Sequence, residues 1–250
     1  MRVCKVKDMS IGEGKPKVCL PIVGKTNEDI LTQAKAFEDI EYDMVELRID
    51  FYESILDFEK VIILLKELKT IIKKPLLFTY RSLKEGGQIQ LNDDQYIELI
   101  RNVCESQLID IVDVELLTGN QVVYQLVEIA HVNHMKVLIS NHNFELTPDN
   151  HLMRQILEHM EIMNADILKI AYMPLSQKDV LRLMEITMEM SSKLSHPIVS
   201  MSMGEIGKIS RICGEFTGSA MTFASATHAS APGQIAVNDV NKILEVLHHD

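Results

Sequence analysis

Residues 167–173 read ILKIAYM, a short apolar run with one charged residue, Lys169, inside it. A run of this length that is rich in β-branched residues predicts a buried β-strand. Similar runs recur along the chain, so eight strands are predicted in all. The others are 18–24 (VCLPIVG), 44–50 (MVELRID), 75–81 (PLLFTYR), 109–115 (IDIVDVE), 136–142 (KVLISNH), 197–203 (PIVSMSM) and 219–225 (SAMTFAS).

The segments between these runs have the apolar spacing of amphipathic helices, as Val61, Leu64, Leu65 and Leu68 illustrate. Because strands alternate with helices, a parallel α/β sheet is expected. Eight such units fill the roughly 250 residues of a typical closed barrel. We therefore predict one (β/α)8 TIM barrel that spans residues 1–250 as a single domain.

Residues 1–16 precede the first predicted strand and contain the turn signal Gly12-Glu13-Gly14. We expect them to form a short hairpin that closes the bottom of the barrel. An open doubly wound sheet is the alternative fold. It is less favoured because no GxGxxG motif follows the first strand.

The chain carries a net charge of −11, which argues against general affinity for nucleic acid or for anionic membranes. An anionic ligand therefore needs a local basic site. No apolar run reaches the roughly 18 residues of a membrane span, and the opening residues lack a signal-peptide pattern. We expect a soluble, cytoplasmic protein.

The cysteines and histidines give no sign of a metal site or of a cofactor. Four cysteines are scattered without a CxxC pair, which is typical of reduced thiols in a cytoplasmic protein. His131 and His134 lie three residues apart but lack a third ligand, so they are interpreted as surface residues. No metal and no cofactor are expected.

In a barrel, one face of each strand packs on the helices and the other faces the axis. Val45, Leu47 and Ile49 alternate with polar residues, so the polar residues are predicted to face the axis. Most of them lie toward the C-terminal strand ends, where barrel enzymes place their chemistry. The residues assigned to the axis are Glu46, Arg48, Asp50, Thr79, Arg81, Asp113, Glu115, His142 and Lys169.

Lys169 is the most informative of these residues, because burying an unpaired ammonium is expensive. One interpretation is structural: the side chain reaches past the strand end, or it pairs with Glu46 or Asp113. The other is functional: a desolvated amine is the nucleophile that a Schiff-base enzyme requires. His142, at the end of the fifth predicted strand, is the candidate general acid and base, although a lone histidine is more often structural.

Three loops add candidates for a ligand site. Residues 81–87 (RSLKEGG) end in paired glycines, which suit a loop that bends over a ligand, although an ordinary β-α loop has the same composition. Residues 209–211 (ISR) and 230–234 (SAPGQ) follow the last two strands, where barrels often bind anions. Arg48, Arg81 and Arg211 are therefore candidates for the local positive charge.

Five segments, in this order, resemble the type I 3-dehydroquinate dehydratase family, and the resemblance covers essentially the whole chain. It implies a (β/α)8 barrel, a homodimer, and the dehydration of 3-dehydroquinate to 3-dehydroshikimate. That reaction is the third step of the shikimate pathway to chorismate and the aromatic amino acids. The segments are 46–48 (ELR), 78–87 (FTYRSLKEGG), 140–144 (SNHNF), 165–171 (ADILKIA) and 230–239 (SAPGQIAVND).

The resemblance also implies roles for individual residues. The lysine matching Lys169 forms an imine with the C3 ketone, the histidine matching His142 removes a C2 proton, and the C1 hydroxyl leaves as water. The carboxylate matching Glu85 orients that histidine. The substrate carboxylate is held by residues matching Arg211, Ser230 and Gln234. The ring hydroxyls and the carbonyl region are held by residues matching Glu46, Arg48 and Arg81, between apolar walls matching Phe144, Met201 and Phe223.

One position departs from the family pattern. Pro21 stands in the first strand where some relatives have a hydroxyl residue, which puts one substrate contact in doubt. A class I aldolase is the nearest alternative, since it also uses a lysine in a barrel but breaks a carbon–carbon bond. A catalytically silent barrel that binds a small acid or a protein partner is the alternative from a different class.

Overall fold

This computed structural model describes residues 3–226 and 231–248. The described residues form ten β-strands and eight α-helices, with short 3₁₀ helices at Ile49–Phe51, Leu83–Glu85, Leu116–Thr118 and Glu205–Arg211. The strands are β1 (Cys4–Val6), β2 (Met9–Ile11), β3 (Lys17–Ile22), β4 (Met44–Arg48), β5 (Leu76–Thr79), β6 (Ile111–Glu115), β7 (Lys136–Asn143), β8 (Ile167–Tyr172), β9 (Ile198–Ser202) and β10 (Met221–Phe223). The helices are α1 (Asn27–Lys35), α2 (Phe58–Ile71), α3 (Asp93–Glu105), α4 (Asn120–Val132), α5 (Asn150–Ile162), α6 (Gln177–Lys193), α7 (Gly214–Thr217) and α8 (Val237–Leu247).

Strands β3 to β10 form one parallel sheet in the order β10-β3-β4-β5-β6-β7-β8-β9. The ring closes between β9 and β10, where Ile198 and Ser219 form a parallel bridge. The N–H of Ala220 donates to the carbonyl of Ile198 at 2.7 Å in the same place. With helices between the strands, this confirms the predicted (β/α)8 TIM barrel.

The helices carry the predicted apolar faces. In α2, Val61, Leu64, Leu65 and Leu68 are all buried, as their spacing indicates for a helix that packs on a sheet. Among the described helices, none combines the length and the apolar composition that crossing a membrane requires.

The lower half of the barrel interior is apolar. Residues near the N-terminal ends of the strands pack together there, and the hairpin of β1 and β2 adds side chains to the same cluster. The hairpin therefore covers the bottom of the barrel, as predicted. The barrel residues of this layer include Met44, Leu77, Ile111, Leu138 and Ile167, and the hairpin contributes Cys4, Val6 and Ile11.

The turn of the hairpin is not at the predicted glycines. Two residues, Lys7 and Asp8, join β1 to β2, and Lys7 adopts the left-handed backbone conformation with φ 51°. Two-residue hairpin turns require a positive φ, and here Lys7 adopts it although it is not a glycine. Gly12 and Gly14, with φ 98° and 66°, instead lie in the connection from β2 to β3.

Candidate active site

The polar strand residues meet in the upper half of the barrel. In β4, Val45 and Leu47 join the core under the helices, whereas Glu46 and Arg48 line a cavity at the C-terminal strand ends. Eight of the nine predicted catalytic and binding residues line this cavity, while Ser230 lies outside the described residues. The other six that line it are Arg81, Glu85, His142, Lys169, Arg211 and Gln234.

Lys169 lies in β8 and is 4% exposed. Its Nζ lies 3.9 Å from Oε1 of Glu46 and 3.7 Å from Oδ2 of Asp113. It also lies 4.4 Å from the centroid of the Phe223 ring, in the arrangement of a cation–π contact. The buried nitrogen is thus surrounded by groups that stabilise positive charge rather than by apolar atoms alone.

His142 is paired with Glu85, which comes from the short helix Leu83–Glu85 after β5. Nδ1 of the ring lies 2.7 Å from Oε2 of Glu85, and the backbone N–H of His142 donates to the same oxygen at 3.0 Å. Because Oε2 already acts as an acceptor for the backbone, we assign the ring proton to Nδ1. Nε2 is then the unprotonated nitrogen and is free to act as a base.

Burial drives both partners toward their neutral forms. It lowers the pKa of His142 well below the usual value, and the cations Arg81, Lys169 and Arg48 act in the same direction. Burial likewise raises the pKa of Glu85 well above the usual value, although Arg81 opposes the rise. The imidazole is therefore neutral at physiological pH, which is the form that accepts a proton.

Arg81 is buried among carboxylates. Its Nη2 donates to Oδ2 of Asp113 at 2.7 Å, and its Nη1 donates to Oε1 of Glu115 at 3.0 Å and to Oγ of Ser140 at 2.9 Å. Glu85 lies 3.5 Å from the same Nη1. Burial lowers the pKa of Arg81, but Asp113, Glu115 and Glu85 outweigh it and raise the pKa above the usual value.

Arg48 is also paired within the protein. Its Nε and Nη2 donate to the two carboxylate oxygens of Asp50 at 2.8 and 2.9 Å, a bidentate pair. Asp50 was predicted as an inward strand residue, but it lies in the short helix Ile49–Phe51 that follows β4. The chain leaves the extended conformation at Ile49, so strand alternation does not apply to Asp50.

Arg211 ends the short helix Glu205–Arg211 after β9 and is 2% exposed. Its Nη2 donates to the carbonyl of Pro232 at 3.0 Å and its Nη1 to the carbonyl of Phe223 at 3.5 Å. Among the described residues no carboxylate pairs with Arg211, and its Nε has no hydrogen-bond partner. Burial lowers the pKa of Arg211 to about 10. The guanidinium can therefore accept an anion.

The walls between these polar groups are apolar. Phe144, Met201 and Phe223, the three predicted wall residues, all line the cavity. Gly86 has φ 85°, and a Cβ atom placed there would lie 2.4 Å from the Phe144 ring. Glycine is therefore needed at position 86 both for the backbone conformation and for the position of Phe144.

Two residues of the site, Asp113 and Ser140, had no predicted catalytic or binding role, although Asp113 was predicted to face the axis and was considered as a structural partner of Lys169. Strand alternation had turned Asp113 toward the axis, and that signal was sufficient to find it. Ser140 pairs in register with Lys169 across β7 and β8, and its hydroxyl donates to Oδ1 of Asp113 at 2.6 Å. Neither residue lines the cavity, so both act from beneath it.

The chain is similar to known proteins over nearly its whole length. Residues 18–250 match the model of the family described as type I 3-dehydroquinase. A 3-dehydroquinate dehydratase from Listeria monocytogenes serotype 4b (strain F2365) is 46% identical over 244 residues, which cover 97% of each chain. One from Clostridioides difficile (strain 630) is 44% identical over 249 residues, which cover 99% of this chain and 98% of the relative.

Solved structures give the same result. A type I 3-dehydroquinate dehydratase from Clostridium difficile, with covalently modified comenic acid, superposes with a TM-score of 0.95 at 44% identity and covers 99% of this chain and 98% of its own. A 3-dehydroquinate dehydratase from Geobacillus kaustophilus superposes with a TM-score of 0.96 at 37% identity. This alignment covers 98% of this chain and 96% of the Geobacillus chain. The similarity therefore extends over both the barrel and the site.

Proposed function

The chain belongs to the type I 3-dehydroquinase family, and we propose that it works through a Schiff base between Lys169 and its ketone substrate. It is a 3-dehydroquinate dehydratase, a hydro-lyase of the shikimate pathway. The observation that carries the proposal is a buried lysine that shares one cavity with a neutral histidine.

In the first step, the Lys169 amine adds to the C3 ketone, and the ketone oxygen leaves as water. The nitrogen keeps one proton and a positive charge, which gives an iminium ion. Glu46 and Asp113, at 3.9 and 3.7 Å from Nζ, favour that charge. Nε2 of His142 takes a proton from the attacking nitrogen and returns it to the departing ketone oxygen, so the imidazole is unprotonated at Nε2 again before the second step.

In the second step, the iminium draws electrons from C2, so a weak base such as imidazole can remove a C2 proton. Nε2 of His142 takes this proton and gives it to the C1 hydroxyl, which leaves as water while the C1–C2 double bond forms. Glu85 keeps the other ring proton on Nδ1 and fixes the ring, a role like that of a triad acid. A further water then hydrolyses the imine and releases the product from Lys169.

Substrate binding is divided between two sides of the cavity. Arg211 has no internal carboxylate among the described residues, so we propose that it holds the substrate carboxylate together with Gln234 and Ser230. Glu46, Arg48 and Arg81 are proposed to hold the ring hydroxyls and the carbonyl region. The hydrogen bonds and ion pairs that these side chains make inside the protein limit how far they can move.

The apolar walls support the same chemistry. Phe144, Met201 and Phe223 would limit the access of water to the iminium, which prevents premature hydrolysis. Because Phe223 also contacts the lysine nitrogen through its ring face, it contributes to stabilising the charge.

Purified protein mixed with 3-dehydroquinate tests the assigned reaction. The expected product is 3-dehydroshikimate, whose conjugated enone absorbs in the ultraviolet where the substrate does not. Products of carbon–carbon cleavage would instead indicate a class I aldolase. Binding of the substrate without any turnover would indicate a catalytically silent barrel.

Two further properties follow from family membership as proposals. We infer a homodimer and a cytoplasmic location, the latter supported by four cysteines that are free thiols. Analytical ultracentrifugation and cell fractionation test them. A monomeric sedimentation coefficient, or recovery from the cell envelope, would contradict these inferences.

A further inference from the structure

Asp113 is a buried carboxylate that makes no direct contact with substrate in the proposed mechanism. It lies in β6, is 0% exposed and does not line the cavity. Its Oδ2 nevertheless lies 3.7 Å from Nζ of Lys169, slightly nearer than Oε1 of Glu46 at 3.9 Å. A charge buried in this way must be stabilised by fixed partners.

Two partners hold this carboxylate in one orientation. Nη2 of Arg81 donates to Oδ2 at 2.7 Å, and the Ser140 hydroxyl donates to Oδ1 at 2.6 Å. The Ser140 oxygen itself accepts from Nη1 of Arg81 at 2.9 Å, which orients the hydroxyl. Asp113, Ser140 and Lys169 lie on the adjacent strands β6, β7 and β8. The distance from Asp113 to the lysine nitrogen is therefore set by the sheet.

The neighbouring carboxylates are committed to other groups. Asp50 pairs with Arg48. Glu115 accepts from Arg81 at 3.0 Å and from the backbone N–H of Ser82 at 2.8 Å. Glu46 lines the cavity, where the substrate ring would contact it. Of the two described carboxylates that form an ion pair with Lys169, Asp113 is thus the one that does not line the cavity.

We infer that Asp113 is a positioning residue whose fixed negative charge keeps the imine on Lys169 protonated. The inference rests on the proposed function, because it requires that imine. An ammonium and a ketone give an iminium and water, so the nitrogen carries one positive charge before and after the condensation. Loss of the nearby negative charge would leave more of the imine neutral in alkaline solution, and a neutral imine activates C2 poorly.

The other groups of the site are the same in the wild type and in an Asp113 variant, so they do not account for a difference in alkaline titration between the two proteins. They include Arg211, whose pKa burial lowers to about 10. Burial raises the pKa of the Cys19 thiol well above its usual value, so the thiol stays neutral. His142 is neutral already, because burial lowers its pKa. The remaining charged groups described around the site are Glu46 and Arg48 from β4, Asp50 from the short helix after β4, Arg81 and Glu85 after β5, Glu115 from β6, and Arg211 after β9.

The decisive variant is Asp113→Asn, which keeps the shape of the side chain and an acceptor oxygen for Ser140 but removes the charge. The probe is cyanoborohydride with 3-dehydroquinate, because this reductant attacks an iminium and spares a neutral imine. The rate of adduct formation, followed by intact mass, is measured from neutral to alkaline pH. We expect the alkaline midpoint of trapping to fall by about 1 pH unit or more relative to wild type, and the alkaline limb of kcat to fall with it.

Glu115→Gln is the matched control. It removes a second buried carboxylate from the same Arg81, but Glu115 makes no ion pair with Lys169 within the described part of the chain. It is expected to lose a similar amount of stability and to keep the wild-type alkaline midpoint. A shift equal to that of Asp113→Asn would overturn the inference, because the effect would then not be specific to the carboxylate beside Lys169.

Ser140→Ala covers the case in which Asp113→Asn does not fold. It leaves the Asp113 charge in place but removes the bond to Oδ1, so a smaller shift in the same direction is expected. An unshifted trapping curve in both variants, or in Ser140→Ala when Asp113→Asn does not fold, would overturn the inference. Absence of any adduct in the wild type would instead refute the Schiff base, so the two failures are distinguishable.

Discussion

Arg81 and Arg211 are both almost fully buried in the cavity wall, at 3% and 2% exposure, yet their surroundings differ in charge. Arg81 lies among three carboxylates, which raise its pKa despite burial. Arg211 donates to backbone carbonyls, and burial lowers its pKa to about 10. We call the side formed by Glu46, Arg48, Arg81, Glu85, Asp113, Glu115 and His142 the paired half, and the side formed by Met201, Arg211, Phe223 and Pro232 the open half.

The difference separates two tasks. The charges of the paired half are matched inside the protein, so they hold Lys169 and His142 in place before substrate arrives. The open half keeps a positive charge without an internal carboxylate among the described residues, so an anionic substrate can supply one. This is the local basic site that a chain with a net charge of −11 needs for an anionic ligand.

Within the paired half, the largest effect on turnover is expected for His142→Ala. The Lys169 amine remains, so the imine still forms, although more slowly, and loss of the base slows elimination by roughly 10²–10⁴-fold. A covalent adduct that retains the C2 hydrogens should accumulate and be visible by mass spectrometry without any reductant. His151→Ala, on the exposed surface of α5, is the control and should leave turnover unchanged. Near-normal turnover of His142→Ala would exclude it as the base.

The stabilities of Arg81→Ala and Arg211→Ala compare the two halves directly. Arg81→Ala leaves Asp113 and Glu115 buried without their cation, which is expected to reduce the free energy of unfolding by about 3–5 kcal/mol. Arg211→Ala leaves no described carboxylate without its cation, so it should reduce the free energy of unfolding by less. Urea denaturation of both variants measures the difference. Equal losses would show that Arg211 has a charge partner after all.

Arg211→Ala should weaken substrate binding by on the order of 1.5–3 kcal/mol, the value of a charge-assisted hydrogen bond. Calorimetric titration with the natural substrate and with an analogue that lacks the carboxylate measures the effect, and only the first should be affected. Arg211→Lys keeps the charge but not the planar fork, so an intermediate loss is expected. If both ligands lose affinity equally, Arg211 has a structural role instead.

Glu85→Gln is expected to have the mildest effect on turnover. The wild-type acid limb of kcat/KM should lie below the ordinary histidine value of about 6.5, because burial lowers the pKa of His142. Because glutamine carries no negative charge at position 85, the His142 imidazolium is harder to form in the variant. The acid limb of kcat/KM should therefore move to still lower pH. A defect as large as that of His142→Ala would make Glu85 the better candidate for the base.

Local sequence rules were sufficient for the barrel and for the strand residues of the site. The two-residue period of a strand turned Glu46, Arg48 and Lys169 toward the axis, and this pattern depends only on neighbouring residues. The rule failed at Asp50, where the strand has already ended in a short helix. It also says nothing about Arg211, which follows β9 in a helical turn. Arg211 was identified instead by its position in a loop after the seventh predicted strand, and the family resemblance then implied its role.

The pairing of charges is not a local property. Arg81 and Asp113 are 32 residues apart in sequence, and their contact depends on the parallel pairing of β5 with β6. The same holds for Arg211, since the carbonyl of Pro232 comes from a loop after the next strand. The sequence therefore predicted which residues gather at the site, whereas the difference between the paired and open halves required the structure.

The central claim is that Lys169, held by the paired half, is the nucleophile. Borohydride reduction in the presence of 3-dehydroquinate, followed by intact mass and peptide mapping, tests it. Wild-type protein and Lys178→Ala, a control at an exposed lysine of α6, should each gain one reduced ligand at Lys169. Lys169→Ala should remain folded by circular dichroism, gain no ligand and show no turnover. A reduced ligand on any other lysine, or turnover by Lys169→Ala, would contradict the claim.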